Sequence, residues 1–82
     1  MPKPSPGSFF SITLGTVTMQ VECLAIPNQE VYRVVFSSTR LPLVLARAER
    51  EDGSVFWTSI PEGRQKEATG MGKILEEHFL KM

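Results

Sequence analysis

Two runs of alternating side chains, separated by Gly15-Thr16, constrain the fold of this chain more than any other feature. Apolar residues occupy every second position on both sides of that dipeptide, which is typical of half-buried β-strands. Glycine at the first central position of a two-residue loop favours a type II′ hairpin. The resulting cross-strand pairs are Leu14–Val17, Ile12–Met19 and Phe10–Val21. Because all six side chains lie on one face, turn chemistry and hydrophobic pattern indicate the same register.

Two further strands are predicted downstream. Ile26–Gln29 is a turn with Pro27 at its second position, where the fixed φ of proline is favourable. The strand from Val31 to Phe36 then places Tyr32, Val34 and Phe36 on one face and Val31, Arg33 and Val35 on the other. Leu41–Ala48 is the fourth strand, with Pro42 near its beginning.

Asp52-Gly53 predicts a second two-residue hairpin, which pairs Ala48 with Trp57 and Glu49 with Phe56. One face of this hairpin then holds Val44, Ala46, Ala48, Val55 and Trp57. The opposite face holds Leu43, Leu45, Phe56 and Ile60. Both faces are apolar, whereas the first hairpin has one polar face. A single helix covers one face of a sheet, so the second apolar face requires another cover.

A C-terminal helix follows the sheet. Pro61 suits the first turn of a helix, and the spacing of Ser59 and Glu62 is typical of a capping box, so the helix is predicted from about Arg64 onward. Its apolar stripe, at spacings of three and four residues, consists of Ala68, Met71, Ile74, Leu75, Phe79 and Met82. Gly72 lies beside this stripe, where the absence of a side chain permits close approach to the sheet.

These elements predict an α+β domain over residues 9–82, an antiparallel meander of about five strands packed against one C-terminal amphipathic helix. Residues 1–8, with three prolines, a glycine and two serines, are predicted to form a flexible tail. The tail lacks the apolar segment of a signal peptide, and no apolar run approaches the roughly 20 residues of a membrane span. With a single cysteine, Cys23, the expected location is the cytoplasm.

Composition and charge exclude whole classes of function. The chain is 41% hydrophobic, which excludes wholesale disorder, and nine basic residues balance nine acidic ones. A dedicated nucleic-acid-binding protein normally carries an excess of basic residues, because phosphate neutralisation supplies much of its affinity. The net charge therefore argues against such a protein, although it does not exclude a local basic stripe.

No segment has a convincing catalytic, metal or phosphate motif. Gly70-Met71-Gly72-Lys73 lacks the first glycine and the hydroxyl residue of a phosphate loop. Cys23 and His78 are the only possible cysteine–histidine pair, and a buried thiol and a packed helix-end histidine are the simpler interpretations. The acidic residues Glu49, Glu51 and Asp52 are typical of a solvated turn. We therefore expect a protein without enzymatic activity, metal or cofactor.

The candidate site centres on Phe56 and Trp57, which are adjacent on one strand and so point to opposite faces. One ring enters the helix-covered core; the other lies on the uncovered face, beside Ala46 and Ala48 if it is Trp57. The first hypothesis is a small interaction module that forms a homodimer through this face. The second is a protein that binds single-stranded nucleic acid, with the aromatic rings stacking on bases and the arginines contacting phosphates. The residues it uses are Trp57, Tyr32, Arg33 and Arg47.

The segment from Phe56 to Gly63, followed by the helix, resembles the end of several small uncharacterised bacterial proteins built as a β-meander plus a helix. That resemblance covers the last third of the chain and implies the fold but no function. The order of strands followed by one helix is also similar to the single-stranded-DNA-binding transcriptional coactivator fold, whose members dimerise through their helices. This second likeness is one of architecture, and it implies a transcription-related role as the alternative function.

Overall fold

The computed structural model describes residues 5–81, which form five strands followed by one helix. The elements are β1 (Phe9–Leu14), β2 (Val17–Leu24), β3 (Glu30–Phe36), β4 (Leu43–Glu49), β5 (Val55–Ser59) and α1 (Gln65–Leu80). Neighbouring strands are antiparallel and pair in chain order, so the sheet is an open meander. The predicted α+β architecture is confirmed. Residues 1–4 of the predicted tail, and Met82 of the predicted helical stripe, lie outside the described residues.

The β1–β2 hairpin has the predicted register, with Leu14 opposite Val17. Gly15 has a φ of 60°, and Thr16 is not among the described residues with positive φ, as a type II′ turn requires. Pairing begins before Phe9, because the Gly7 N–H donates to the Cys23 carbonyl (2.7 Å) and the Cys23 N–H donates to the Ser8 carbonyl (3.0 Å). The last residues of the predicted tail are therefore attached to the sheet.

The turn between β2 and β3 is also as predicted. The Gln29 N–H donates to the Ile26 carbonyl at 3.3 Å, and Asn28 has a φ of 60°. Proline followed by a left-handed residue is the signature of a type II turn, and asparagine tolerates that conformation better than most residues.

The helix begins where it was predicted to begin, but the expected capping box is wrong. The helix starts at Gln65, and its N-cap, Arg64, makes no side-chain capping bond. Ser59 stays buried at the end of β5, where its hydroxyl donates to the Pro61 carbonyl (2.9 Å) and accepts the Arg64 N–H (3.1 Å). Its hydroxyl therefore organises the loop before the helix, and Ser59 is too far up the chain to cap the first turn.

An ionic contact connects the start of α1 to the loop between β3 and β4. The Arg64 guanidinium donates to both carboxylate oxygens of Glu67 and to the carbonyls of Leu41 and Pro42. Glu67 also pairs with Arg40 at 2.9 Å. Hydrogen bonds from Arg64, and secondly from Arg40, lower the pKa of Glu67 to about 2.

The core lies between α1 and one face of the sheet. The predicted helical stripe is confirmed at Ala68, Met71, Leu75 and Phe79, which are buried, and Ile74 packs partly buried against the same cluster. The helix packs mainly over β4 and β5. Its cover of the β1–β2 hairpin is therefore uneven: Val21 is fully buried, Ile12 is half-buried, and Leu14 remains 49% exposed.

Candidate interaction face

The register of the β4–β5 hairpin differs by one residue from the predicted one. Arg47 lies opposite Trp57 and Ala48 opposite Phe56, so the predicted Ala48–Trp57 pair is wrong. The loop has three residues, because Arg50 and Ser54 close it through the Arg50 N–H and the Ser54 carbonyl (2.8 Å). Gly53, with a φ of 88°, takes the left-handed last position of this loop.

A one-residue change of register moves every side chain of β5 to the other face. Trp57 therefore lies under α1 with Leu43 and Leu45, and Phe56 lies on the uncovered face with Ala46 and Ala48. The predicted grouping of Trp57 with the two alanines is thus wrong, and so is that of Phe56 with the two leucines. The question of which aromatic ring enters the core is resolved in favour of Trp57.

Trp57 is 5% exposed and is held by two features of α1. Its indole N–H donates to Glu76 Oε1 at 2.8 Å. Its ring occupies the space above Gly72, where an added Cβ would lie 2.1 Å from Trp57 Cγ. The close approach predicted at Gly72 is therefore present, and the residue approaching is the tryptophan. Indole burial with a satisfied N–H is typical of a core position.

Tyr32 is a core residue as well. Its ring is fully buried, 5.8 Å from the Trp57 ring centroid and 5.6 Å from that of Phe79. Burial, and secondly the nearby carboxylate of Glu30, raise the pKa of the Tyr32 phenol far above its ordinary value. The pKa of the Cys23 thiol is raised for the same two reasons. Neither ring of the predicted aromatic pair faces solvent.

The two predicted arginines lie on opposite faces of the sheet. Arg33 is exposed on the uncovered face, where its cross-strand neighbours are Glu22 and Val44. Arg47 lies on the helix side, opposite Glu30, with 4.0 Å between Arg47 Nε and Glu30 Oε2. Strand alternation causes this separation, so the arginines do not form a common clamp.

The uncovered sheet face is largely apolar over β3–β5 and the end of β2, although Arg33 and Thr58 also lie on it, and we name its apolar side chains the open-face patch. It consists of Leu24, Val31, Val35, Val44, Ala46, Ala48, Phe56 and Ile60. Val35 and Ile60 are 38% and 44% exposed, Val31 is fully buried, and the other five are half-buried. The β1–β2 part of the same face carries Ser11, Thr13, Thr18 and Gln20, with the exposed Phe9 at its end. The apolar second face predicted for the C-terminal hairpin is therefore present, with Phe56 in place of Trp57.

A cleft of about 790 Å³ lies at one end of the patch. Four of the predicted site residues line it, namely Tyr32, Ala46, Arg47 and Ala48. Leu24, Ile26 and Ile60 are among its other lining residues. Trp57 and Arg33 are not part of it. Of the six predicted site residues, the structure thus brings four to one cleft and leaves one in the core and one on the open sheet.

Sequence reasoning left open which face Phe56 occupies and did not group Phe56 and Ile60 with Ala46 and Ala48, because the loop length was predicted one residue too short. The available signal was the Glu51-Asp52-Gly53 sequence, since three-residue hairpin loops also place glycine at a left-handed position. The Asp52 carboxylate completes this loop by accepting the Ser54 hydroxyl at 2.7 Å and the Ser54 N–H at 2.9 Å, and these two hydrogen bonds lower its pKa.

Within residues 5–81, no group of three or more metal-ligating side chains comes together, and no helix is long and apolar enough to cross a membrane. The chain matches no family model, and no curated protein or solved structure is significantly similar to it. The geometry of the open-face patch is therefore the basis for a functional proposal.

Proposed function

We propose that this protein is a non-enzymatic interaction module that forms a face-to-face homodimer through the open-face patch. The observation that supports this proposal is a largely apolar sheet face over β3–β5, on the side of the sheet opposite α1. Contiguous apolar surface of this kind favours association, because each apolar area removed from water contributes free energy. Two sheets that pack through such faces form a sandwich, a common arrangement of β-proteins.

Two charged residues of the uncovered face, Arg33 among the patch residues and Glu22 beside it, favour a second copy as the occupant. Glu22 and Arg33 are cross-strand neighbours on the uncovered face. In a two-fold symmetric contact, a pair of residues that forms in one direction across the interface also forms in the other. Arg33 of each copy can therefore pair with Glu22 of the other. The balanced charge of the whole chain also avoids long-range repulsion between copies.

The test is the oligomeric state of the wild type and of a variant with a charge in the patch. Ala46→Glu places a carboxylate in the middle of the proposed interface. We expect association to weaken by about a hundredfold or more, because an unpaired buried charge costs several kcal/mol. Thr16→Glu adds the same charge at an exposed turn outside the patch and is the matched control.

Sedimentation velocity over a range of concentrations measures the oligomeric state of the wild type and of the two variants. Tryptophan fluorescence confirms that each variant is folded. A wild type that remains monomeric at high concentration contradicts the proposal. So does an equal effect of the two substitutions.

Binding of single-stranded nucleic acid is the alternative function, and no feature of the described residues favours it. The rings required for stacking, Tyr32 and Trp57, lie beneath α1. Arg33 and Arg47 lie on opposite faces of the sheet. A positively charged groove lined by exposed aromatic rings is the usual basis of such binding, and these four residues do not form one.

A further inference from the structure

We propose that the outer edge of β1 pairs with β1 of a second copy, in an antiparallel register centred on Ser11. This contact uses a surface other than the open-face patch, so it does not depend on the function proposed above. The argument rests on the direction of the β1 backbone groups, on the residues of the strand and on the symmetry of the resulting register.

β1 is at the edge of the sheet, bonded only to β2 among the described strands. The two residues that flank a two-residue hairpin loop, Leu14 and Val17, form a hydrogen-bonded pair, and bonded and non-bonded pairs then alternate. Ile12 and Phe10 are therefore bonded to β2 as well. The N–H and C=O groups of the intervening residues, Phe9, Ser11 and Thr13, point away from the sheet.

The strand lacks the features that normally protect an edge. Phe9–Leu14 contains no charged residue and no proline, and it consists of aromatic, aliphatic and hydroxyl side chains. Six-residue segments of this composition have a strong tendency to pair with another strand. Phe9 is 71% exposed and Leu14 is 49% exposed, so both side chains keep apolar area available for a partner.

The opposite edge of the sheet is partly occupied. Hydrogen-bonded and non-bonded pairs alternate along β4 and β5, and Arg50–Ser54 and Val44–Ile60 are bonded pairs. The pair of Arg47 and Trp57 is therefore a non-bonded one, so the backbone groups of Trp57 point outward. The Gln65 side-chain amide donates to the Trp57 carbonyl. Helix α1 also packs over the face of this strand. Of the two edges, β1 is therefore the one open to strand addition.

A second copy of β1 satisfies the outward groups completely in one register. When Ser11 lies opposite Ser11 of the second copy, Phe9 of each chain lies opposite Thr13 of the other. All outward residues then pair with outward residues, and any other antiparallel register leaves some without a partner. On the helix side the same register places Phe10 opposite Ile12, both half-buried in the single chain. The apolar core then continues across the two-fold axis.

Disulfide trapping tests this register directly. In the proposed contact only Ser11 faces its own counterpart, at the Cα separation of about 5.5 Å that suits a disulfide. We expect Ser11→Cys to form a disulfide-linked dimer about tenfold or more faster than the controls, because adjacent thiols have effective concentrations in the millimolar range. Thr13→Cys is the matched control: Thr13 is likewise exposed on the same strand and face, but it lies opposite Phe9. Mixing Phe9→Cys with Thr13→Cys should restore rapid crosslinking between the two chains.

A second pair of variants tests the contact without a thiol. Ser11→Pro removes an outward N–H that no described residue uses, and Ser11→Lys places a charge on the edge. Both variants should have a lower sedimentation mass than the wild type, and their tryptophan fluorescence should stay native. Equal crosslinking of Ser11→Cys and Thr13→Cys, or no change in mass with either edge variant, overturns the proposal.

The two proposed interfaces fail in distinguishable ways. Ser11→Cys combined with Ala46→Glu should still crosslink if the edge contact exists, whatever the outcome for the open-face patch. Loss of crosslinking in this combined variant shows that the edge contact depends on the patch and also overturns the proposal.

Discussion

The two hairpins at either end of the sheet are stabilised in different ways. The β4–β5 hairpin lies directly beneath α1, with Trp57 wedged over Gly72 and bonded to Glu76. The β1–β2 hairpin contributes Met19, Val21 and Cys23 to the core, and the ring of Phe10 stacks on His78 with centroids 4.7 Å apart. The comparison indicates that helix packing concentrates stability in the C-terminal part of the fold. The N-terminal hairpin keeps an open edge and partly exposed apolar side chains, which are then available for association.

The strongest test of this contrast is Gly72→Ala. The new Cβ would lie within 2.5 Å of three atoms of the Trp57 ring, so the helix and the strand must separate. We expect a loss of about 3 kcal/mol in the free energy of unfolding, measured by urea denaturation. Gly70→Ala is the matched control, because no atom lies within 4 Å of its added Cβ. It should stabilise the protein by roughly 0.5–1 kcal/mol through helix propensity. Equal changes in stability at both glycines would contradict the close contact between Gly72 and the Trp57 ring.

Trp57→Phe should have the next largest effect. The substitution removes part of the buried ring and the hydrogen bond to Glu76, and leaves that carboxylate without its indole donor. A loss of about 2 kcal/mol is expected. Phe56→Leu, the neighbouring change on the uncovered face, should cost less than about 1 kcal/mol in the monomer, because that ring is only half-buried. The reverse order would mean that Phe56 is the core residue.

Phe10→Leu measures how far the helix supports the N-terminal hairpin. This change removes the stacking on His78 and the edge contact with Phe79, whose centroid is 5.8 Å away. Aromatic pairs contribute about 0.5–1.5 kcal/mol beyond their buried area, so a loss of about 1 kcal/mol is expected from thermal or urea unfolding. Phe9→Leu, at the exposed neighbouring position, should leave monomer stability unchanged. If Phe10→Leu lowered the free energy of unfolding as much as Trp57→Phe does, the helix would stabilise the two hairpins equally, which contradicts the contrast between them.

The smallest expected effect concerns pH and the ionic contact at the start of α1. The pKa of Glu67 is about 2 in the folded protein and 4.5 for the ordinary group, so the unfolded chain binds more protons between these values. Stability from this group is complete above pH 4.5 and is lost as the pH falls toward 2. The difference in melting temperature between wild type and Glu67→Gln should therefore shrink across that interval. A difference independent of pH would mean that the charge of Glu67 contributes nothing.

Sequence patterns were sufficient where local chemistry and tertiary packing favour the same answer. Gly15 fits a single hairpin type, and the alternation on both sides of it agrees with that register. Pro27-Asn28 likewise specifies its turn without help from distant residues. The polar β1–β2 face and the apolar stripe of α1 follow from periodicity alone.

Local patterns were insufficient where two turns fit the same residues. Asp52-Gly53 is compatible with a two-residue and a three-residue loop, and both choices leave apolar side chains on each face of the hairpin. The hydrophobic pattern therefore could not select between them. The start of α1 was ambiguous for a similar reason, because Ser59 satisfies the capping pattern but is used within the loop.

The sequence by itself determined the number and order of the elements, the first hairpin register, the helical stripe and the presence of a second apolar face. Those features depend on periodicity and turn chemistry, which are local. Only the tertiary structure decided that Trp57 rather than Phe56 enters the core, because that choice depends on a ring fitting the space above Gly72, fifteen residues further along the chain. It also decided that α1 packs chiefly over β4 and β5, with the Gln65 amide bonded to an outward carbonyl of the β5 edge.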